Sequence, residues 1–455
     1  MATTSEPPLL LLHFDINKTL IMDDPAAAVR TSGMINQLIA SSAFGSYVVD
    51  RHTSSWVLGS PVLCTTPPAP GLVSYASFLR YTLYPYREDS PADAAGRVAK
   101  VEFNRRQKSL AKDATMSFTE HGQPGASFRP LYELLEAELS LSPAARAACQ
   151  EVPGAPAAWL RGTHFILPCY FRLLSALLSR GRRFAIIFRT FGSDLAEVVW
   201  EHNLFCAGRH PLHALPTGTS PEAAAALCVS MPDDTGRFIR HGLTADGTHL
   251  AVVMGRHPHA RVCSLTGFRA IHDYLVAAVD VNRNAAAAGD AAASSPTESQ
   301  EAAPAVPPSA HVRALAFQDD FSFWFAHHEM GSAGKLLTLD PSDTSTHALF
   351  VDDNVGANKD SLRLLSAAVL DRLASEGISV QGGGEGCSSA CLPGEDTGIV
   401  DVRDVRTGDA IPFEVARNAV LIRADPLSAI LHDGYLVDLV AYAERGWREL
   451  VSTRR

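Results

Sequence analysis

The sequence predicts an α/β protein built on a doubly wound parallel sheet that two long insertions interrupt. Three observations carry this. Leu9 to Leu12, Phe184 to Phe188 and Ala348 to Val351 are apolar runs without polar alternation, the pattern of strands covered on both faces. Each run soon gives way to polar groups, in Asp15-Ile16-Asn17-Lys18-Thr19, Arg189-Thr190 and Asp352-Asp353-Asn354. Patterns of helical period follow them, as repeated βα units require.

Taken in order, Asp23-Asp24-Pro25 after the first strand is a helix-opening signal, and a helix over 26–40 is expected with Pro25 in its first turn. Tyr47 to Leu63 reads as extended, and Pro67 to Gly71 as a loop. The stretch from Tyr75 to Phe128 mixes aromatics, charges and breakers and yields no assignment. Leu131, Leu134, Leu135 and Leu139 mark an amphipathic helix over 130–139. A Leu-rich helix over 165–179 ends at Arg180-Gly181, where glycine suits a left-handed cap. The strand ending at Thr190 is followed by a helix from about Ser193-Asp194 to His202. Beyond it, 250–254 reads as a strand and 266–279 as a helix. Residues 282–309 are Ala, Ser, Pro, Glu and Gly with almost nothing to bury, and are expected to be disordered. Val312 to Phe317 reads as a strand, Phe321 to His328 as an aromatic helix, and 360–375 as another helix. Gly382 to Gly394 is a glycine-rich loop; 399–405 and 420–422 are edge strands; 426–450 is a closing amphipathic helix.

On this reading, residues 1–24, 161–204 and 311–455 form the α/β core. The first insertion spans 25–160, and the second spans 205–310 with the disordered 282–309 inside it.

Composition excludes several classes. A formal charge of −10 with no basic stripe argues against a nucleic-acid partner. No run approaches the ~20 apolar residues of a membrane span, and the N-terminus lacks a basic start before Asp15, so a cytoplasmic protein is expected. The eight cysteines are scattered, which fits reduced thiols better than a disulfide frame. Cys387 and Cys391 have zinc-like spacing but no second pair nearby. Oligomeric state is not legible.

Chemistry concentrates at four places: Asp15 with Asn17, Thr190, Lys335 after Gly334, and Asp352-Asp353. In open α/β sheets functional groups gather beyond the carboxyl ends of strands. Their order and strand contexts resemble the motifs of the haloacid dehalogenase-like (HAD) superfamily of phosphatases and phosphotransferases. His13-Phe14-Asp15-Ile16-Asn17-Lys18-Thr19 is similar to its first motif, Asp-x-Asp-x-Thr/Val; Ile186-Ile187-Phe188-Arg189-Thr190 to the second; Lys335 to the third; and Leu349-Phe350-Val351-Asp352-Asp353 to the acidic fourth. The resemblance covers about half of the chain and implies a HAD-like, Rossmannoid core. It also implies that the insertions are caps that select substrate.

The resemblance implies that Asp15 attacks phosphorus to form an aspartyl phosphate. Mg²⁺ is the expected cofactor, held by Asp15, the Asn17 backbone carbonyl, and Asp352 or Asp353. Thr190 would donate a hydrogen bond to a phosphoryl oxygen, and Lys335 would place a positive charge there and keep Asp15 ionised. One departure matters. Phosphatases of this superfamily carry an acidic proton carrier two residues after the nucleophile, where this chain has Asn17, and an amide carries no proton.

Rival readings remain for other residues. Thr190 also suits a cap for the next helix, and Asp319-Asp320 suits a cap for the Phe321 helix. His241, His249, His257 and His259 are scattered enough to be surface residues. The expected function is Mg²⁺-dependent phosphohydrolysis or phosphotransfer on a small phosphorylated metabolite. The alternative is a catalytically reduced HAD-like protein that binds a phosphorylated ligand or protein partner. A receiver-like acceptor domain fits less well, since such domains are short and need no large insertions.

Overall fold

In a computed structural model the protein is an α/β structure around a mixed, mostly parallel eight-stranded sheet. The structure describes residues 7–24, 29–49, 54–64, 67–89, 93–231, 233–242, 250–254, 265–279, 314–355, 372–378 and 399–452. Its strands are β1 (Leu9–Asp15), β2 (Phe44–Val49), β3 (Ser54–Leu58), β4 (Val73–Ser74), β5 (Phe184–Thr190), β6 (Thr235–Arg240) and β7 (Leu250–Met254). They continue with β8 (Leu265–Thr266), β9 (Ala314–Gln318), β10 (Lys335–Leu339), β11 (Thr346–Asp352), β12 (Val400–Asp404) and β13 (Leu421–Arg423).

The large sheet runs β13-β11-β1-β5-β9-β6-β7-β8. All neighbours from β13 to β6 pair in parallel, and β7 and β8 add antiparallel. Burial on both faces explains the unbroken apolar runs. Leu10, Leu12 and Phe14 of β1 and Phe184, Ile186 and Phe188 of β5 enter one core, while Leu9, Leu11, Ala185 and Ile187 enter the other. Helices Pro168–Ser179, Leu195–Cys206 and Tyr435–Ser452 supply much of the first core. The second face is covered by helix Phe268–Val279 and by a separate two-stranded parallel sheet of β10 and β12. Lys335, the first residue of β10, therefore approaches the large sheet from this second layer.

Several elements depart from sequence expectation. The helix expected over 26–40 begins at Thr31 and ends at Ser42, and Asp24 and Val29 exchange backbone hydrogen bonds of 2.8 and 3.0 Å before it. The extended 47–63 stretch is the β2–β3 hairpin, which joins β4 in a small antiparallel sheet. The unassigned 75–128 stretch holds a helix at Ala94–Thr115, capped by the Asp93 carboxylate. The Thr190 unit's helix continues to Cys206. The stretch over 399–405 contributes β12 to the small sheet instead of an edge to the large one, whereas β13 does form the large sheet's edge. The closing helix is two helices, Pro426–Leu431 and Tyr435–Ser452, separated at His432-Asp433-Gly434.

Within residues 205–310, β6, β7 and β8 extend the large sheet, so these strands belong to its layer and do not stand off it as a cap. The expected disorder at 282–309, most of the 360–375 helix, the Gly382–Gly394 loop and Cys387 with Cys391 lie outside the described residues. Among the described residues no helix is long and apolar enough to cross a membrane.

Candidate phosphoryl-transfer site

Register brings the strand ends together. Phe14 of β1 lies beside Val351 of β11 and Phe188 of β5, so Asp15, Thr190 and Asp352 finish neighbouring strands at one edge. The turn after β1 is tight: Leu20 N donates to Ile16 O at 2.8 Å, Lys18 N donates to Ile21 O at 2.9 Å, and Lys18 takes a left-handed φ of 62°. Strained backbone of this kind persists where surrounding structure holds it. The turn delivers the Thr19 hydroxyl, which donates to Asp15 Oδ2 at 3.4 Å and accepts from Asp353 N at 3.2 Å.

Lys335 is buried, and its ammonium bridges two carboxylates, donating to Asp15 Oδ1 and to Asp352 Oδ2, the latter at 2.8 Å. Asp352 Oδ1 also accepts from Asn354 N at 2.8 Å. Gly334 makes room for this approach, since a Cβ there would collide with the Ile399 backbone carbonyl. Carboxylate oxygens of Asp15, Asp352 and Asp353 lie within 4.8 Å of one another, and among the described residues this is the one group of three or more such side chains able to hold a metal.

Electrostatics follow from that crowding. Burial pushes the Asp15 carboxyl well above its ordinary range; Lys335 opposes this, and Asp352 and Asp353 add to it. Burial also raises Asp353 to about 6, with Lys18 opposing and Asp352 adding to the rise. Burial alone would lower Lys335, but Asp15 and Asp352 outweigh it, so its pKa is raised and it stays an ammonium. One ammonium among three carboxylates leaves two negative charges when all are ionised. The donor atoms are hard oxygens, as Mg²⁺ prefers, and a dication would relieve the repulsion that adds to the rise at Asp15 and Asp353. The residues present fit that ion.

Thr190 is buried, and its Oγ1 accepts from Gly192 N at 2.9 Å. It thus braces the turn into the next helix, yet its own hydroxyl hydrogen stays available to donate. Asn17 does not pair with the carboxylate cluster through its side chain: Nδ2 donates to Asp194 Oδ2 at 3.1 Å. Asp194 itself was not legible as a site residue, because it stands where a helix N-cap belongs. Its side chain makes no capping bond, and burial raises its carboxyl, with the Asn17 bond opposing.

The rival acids separate. Asp320 caps the Phe321–Ala326 helix, accepting from Phe323 N at 3.0 Å. Asp319 instead pairs with Arg189, whose guanidinium donates to both of its oxygens at 3.0 and 2.5 Å and to Leu336 O at 2.8 Å. Of the scattered histidines, His241 joins no metal-type cluster among the described residues, and His249, His257 and His259 lie outside them. No protein-family model, curated protein or solved structure matches this chain.

Proposed function

We propose that the chain is a HAD-like, Mg²⁺-dependent phosphohydrolase or phosphotransferase that works through an aspartyl phosphate on a small phosphorylated metabolite. The observation that carries the reading is the buried Lys335 ammonium shared between Asp15 and Asp352, with Asp353 beside them at the same sheet edge. A merely structural ion pair would not collect three carboxylates around one cation, since burying unbalanced charge is costly.

Phosphoryl transfer needs an in-line nucleophile and neutralisation of charge on the phosphoryl oxygens. Asp15, held by Lys335 and Thr19, supplies the nucleophilic oxygen. Thr190 donates its hydroxyl hydrogen to a phosphoryl oxygen, and Lys335 adds positive charge there and opposes the burial that raises Asp15. Asp15, Asp352 and Asp353, with the Asn17 backbone carbonyl that the resemblance adds, would hold Mg²⁺, which neutralises phosphoryl charge when bound. Breaking the ester bond sends an electron pair to the leaving oxygen. Asn17 has no proton to give it, so poor leaving groups depart slowly; general acid–base help is typically worth ~10²–10⁴ in rate.

The binding-protein reading rests on that same Asn17. A leaving-group series separates the two. With Mg²⁺ present, an aryl phosphate is expected to turn over faster than an alkyl phosphate, and Asp15→Asn to remove both activities. Phosphate-analogue binding that requires Asp15, with no turnover of either ester, would select the binding protein. Neither binding nor turnover would reject the phosphoryl-transfer site.

A further inference from the structure

We propose that Asn17 and Asp194 form an acceptor site for the water that hydrolyses the aspartyl phosphate, with Asp194 as the positioning residue that sets the Asn17 amide. This rests on the phosphoryl-transfer reading above. Asn17 Nδ2 donates to Asp194 Oδ2 at 3.1 Å. The bond fixes the amide, because turning it over would set a carbonyl oxygen against a carboxylate oxygen with no hydrogen between them. Among the described residues Asn17 Oδ1 is left as a buried acceptor without a partner, and so is Asp194 Oδ1, in a residue only 2% exposed. Buried acceptors are ordinarily satisfied, and these two call for a donor that no described residue supplies.

The bonded pair also lies close to Thr190. A Cβ on Gly192 would lie 2.5 Å from Asp194 Oδ2, 3.3 Å from Thr190 Oγ1 and 3.5 Å from Asn17 Nδ2. Three polar groups thus converge where glycine withholds a side chain, next to the hydroxyl assigned to the phosphoryl group. Water is the small donor that suits buried acceptors left without partners, and one held through its hydrogens presents its lone pairs for attack.

The chemistry then needs orientation and no proton carrier. Water oxygen attacks phosphorus, the bond from phosphorus to Asp15 oxygen breaks, and its electron pair returns to the Asp15 carboxylate. Both water hydrogens leave on dihydrogen phosphate. An amide at position 17 is sufficient for this step.

The test is rapid quench of the full-length protein with an aryl phosphate and Mg²⁺, reading aryl alcohol release, the phosphorylated fraction and the split between water and added methanol. Asp194→Ala is expected to leave the first release of aryl alcohol within about twofold of wild type and to slow dephosphorylation tenfold or more. Phosphorylated protein then accumulates, and methanol takes a larger share. The isosteric Asp194→Asn keeps an oxygen facing Asn17 Nδ2 and is expected to lose less. Asp194→Ser repeats the comparison should Asp194→Ala fail to fold. Independently of turnover, crystals of the wild type should show an ordered water on Asn17 Oδ1 or Asp194 Oδ1. Equal slowing of both steps, or unchanged dephosphorylation in the variants, overturns the proposal and leaves the phosphoryl-transfer reading standing. Absence of any Asp15-linked phosphoryl group in wild type overturns both.

Discussion

Asp15, Thr190, Lys335, Asp352 and Asp353 were legible because each is a polar group at the end of an apolar run or beside a glycine, where a buried side chain needs a reason to be polar. Asp194 was not. Its bond to Asn17 spans 177 positions, and nothing local distinguishes it from a capping carboxylate. Arg189 was hidden in the same way, read as the strand's polar end although it is fully buried. The residue-level account predicts that Mg²⁺ raises thermal stability by mass action. Asp352→Ala combined with Asp353→Ala should abolish that shift. Asp319→Ala should keep it on a lowered baseline, because Asp319 serves Arg189 and not the cluster. Melting curves of metal-free protein with and without millimolar Mg²⁺ decide; an equal shift in the double variant would remove the ion from this site.

Among the elements, β1, β5, β9 and β11 are readable because cover on both faces gives each an unbroken apolar run of four or five residues. β6 was missed. Its sequence, Thr-Gly-Arg-Phe-Ile-Arg, has little apolar content, and it is tolerated inside because Arg240 pairs with Asp401 at 3.2 Å and donates to Ser332 O at 3.0 Å. β10 was missed because Lys335 drew the reading away from the apolar Leu336 and Leu337 behind it. The closing helix was read as one because apolar spacing resumes beyond Gly434. Arg189 joins the two layers, tying β5 to the loop after β9 through Asp319 and to β10 through Leu336 O. Removing one partner of a buried pair typically costs ~3–5 kcal/mol, so Arg189→Met should destabilise by about that much in denaturant melts. A loss under ~1 kcal/mol, the scale of a surface pair, would show that the bridge does not hold the layers.

At the scale of the whole molecule, buried imidazoles make stability depend on pH. Burial lowers His202 and His347 to about 4, with the carbonyls of Leu227 and Ala419 opposing. An unfolded histidine titrates near ~6.5. Between that value and about 4 the unfolded chain holds the extra protons, so the contribution of these two histidines is complete above pH ~6.5 and is lost as pH drops toward the folded values. Each histidine adds a slope of at most ~1.4 kcal/mol per pH unit. Raised carboxyls such as Asp353 act in the opposite sense, so the histidine term is read as a difference: from pH 7 to pH 5 the wild type should lose melting temperature relative to His347→Phe, and parallel pH profiles would show that His347 is not buried neutral. The same fold draws residues 15, 190, 335 and 352 to one sheet edge, and the claim that this edge transfers phosphoryl groups has one direct test. Protein mixed with an aryl phosphate and Mg²⁺, quenched and reduced with borohydride, should carry its label at Asp15, converted to homoserine. No label, or a label on any other residue, would contradict the account.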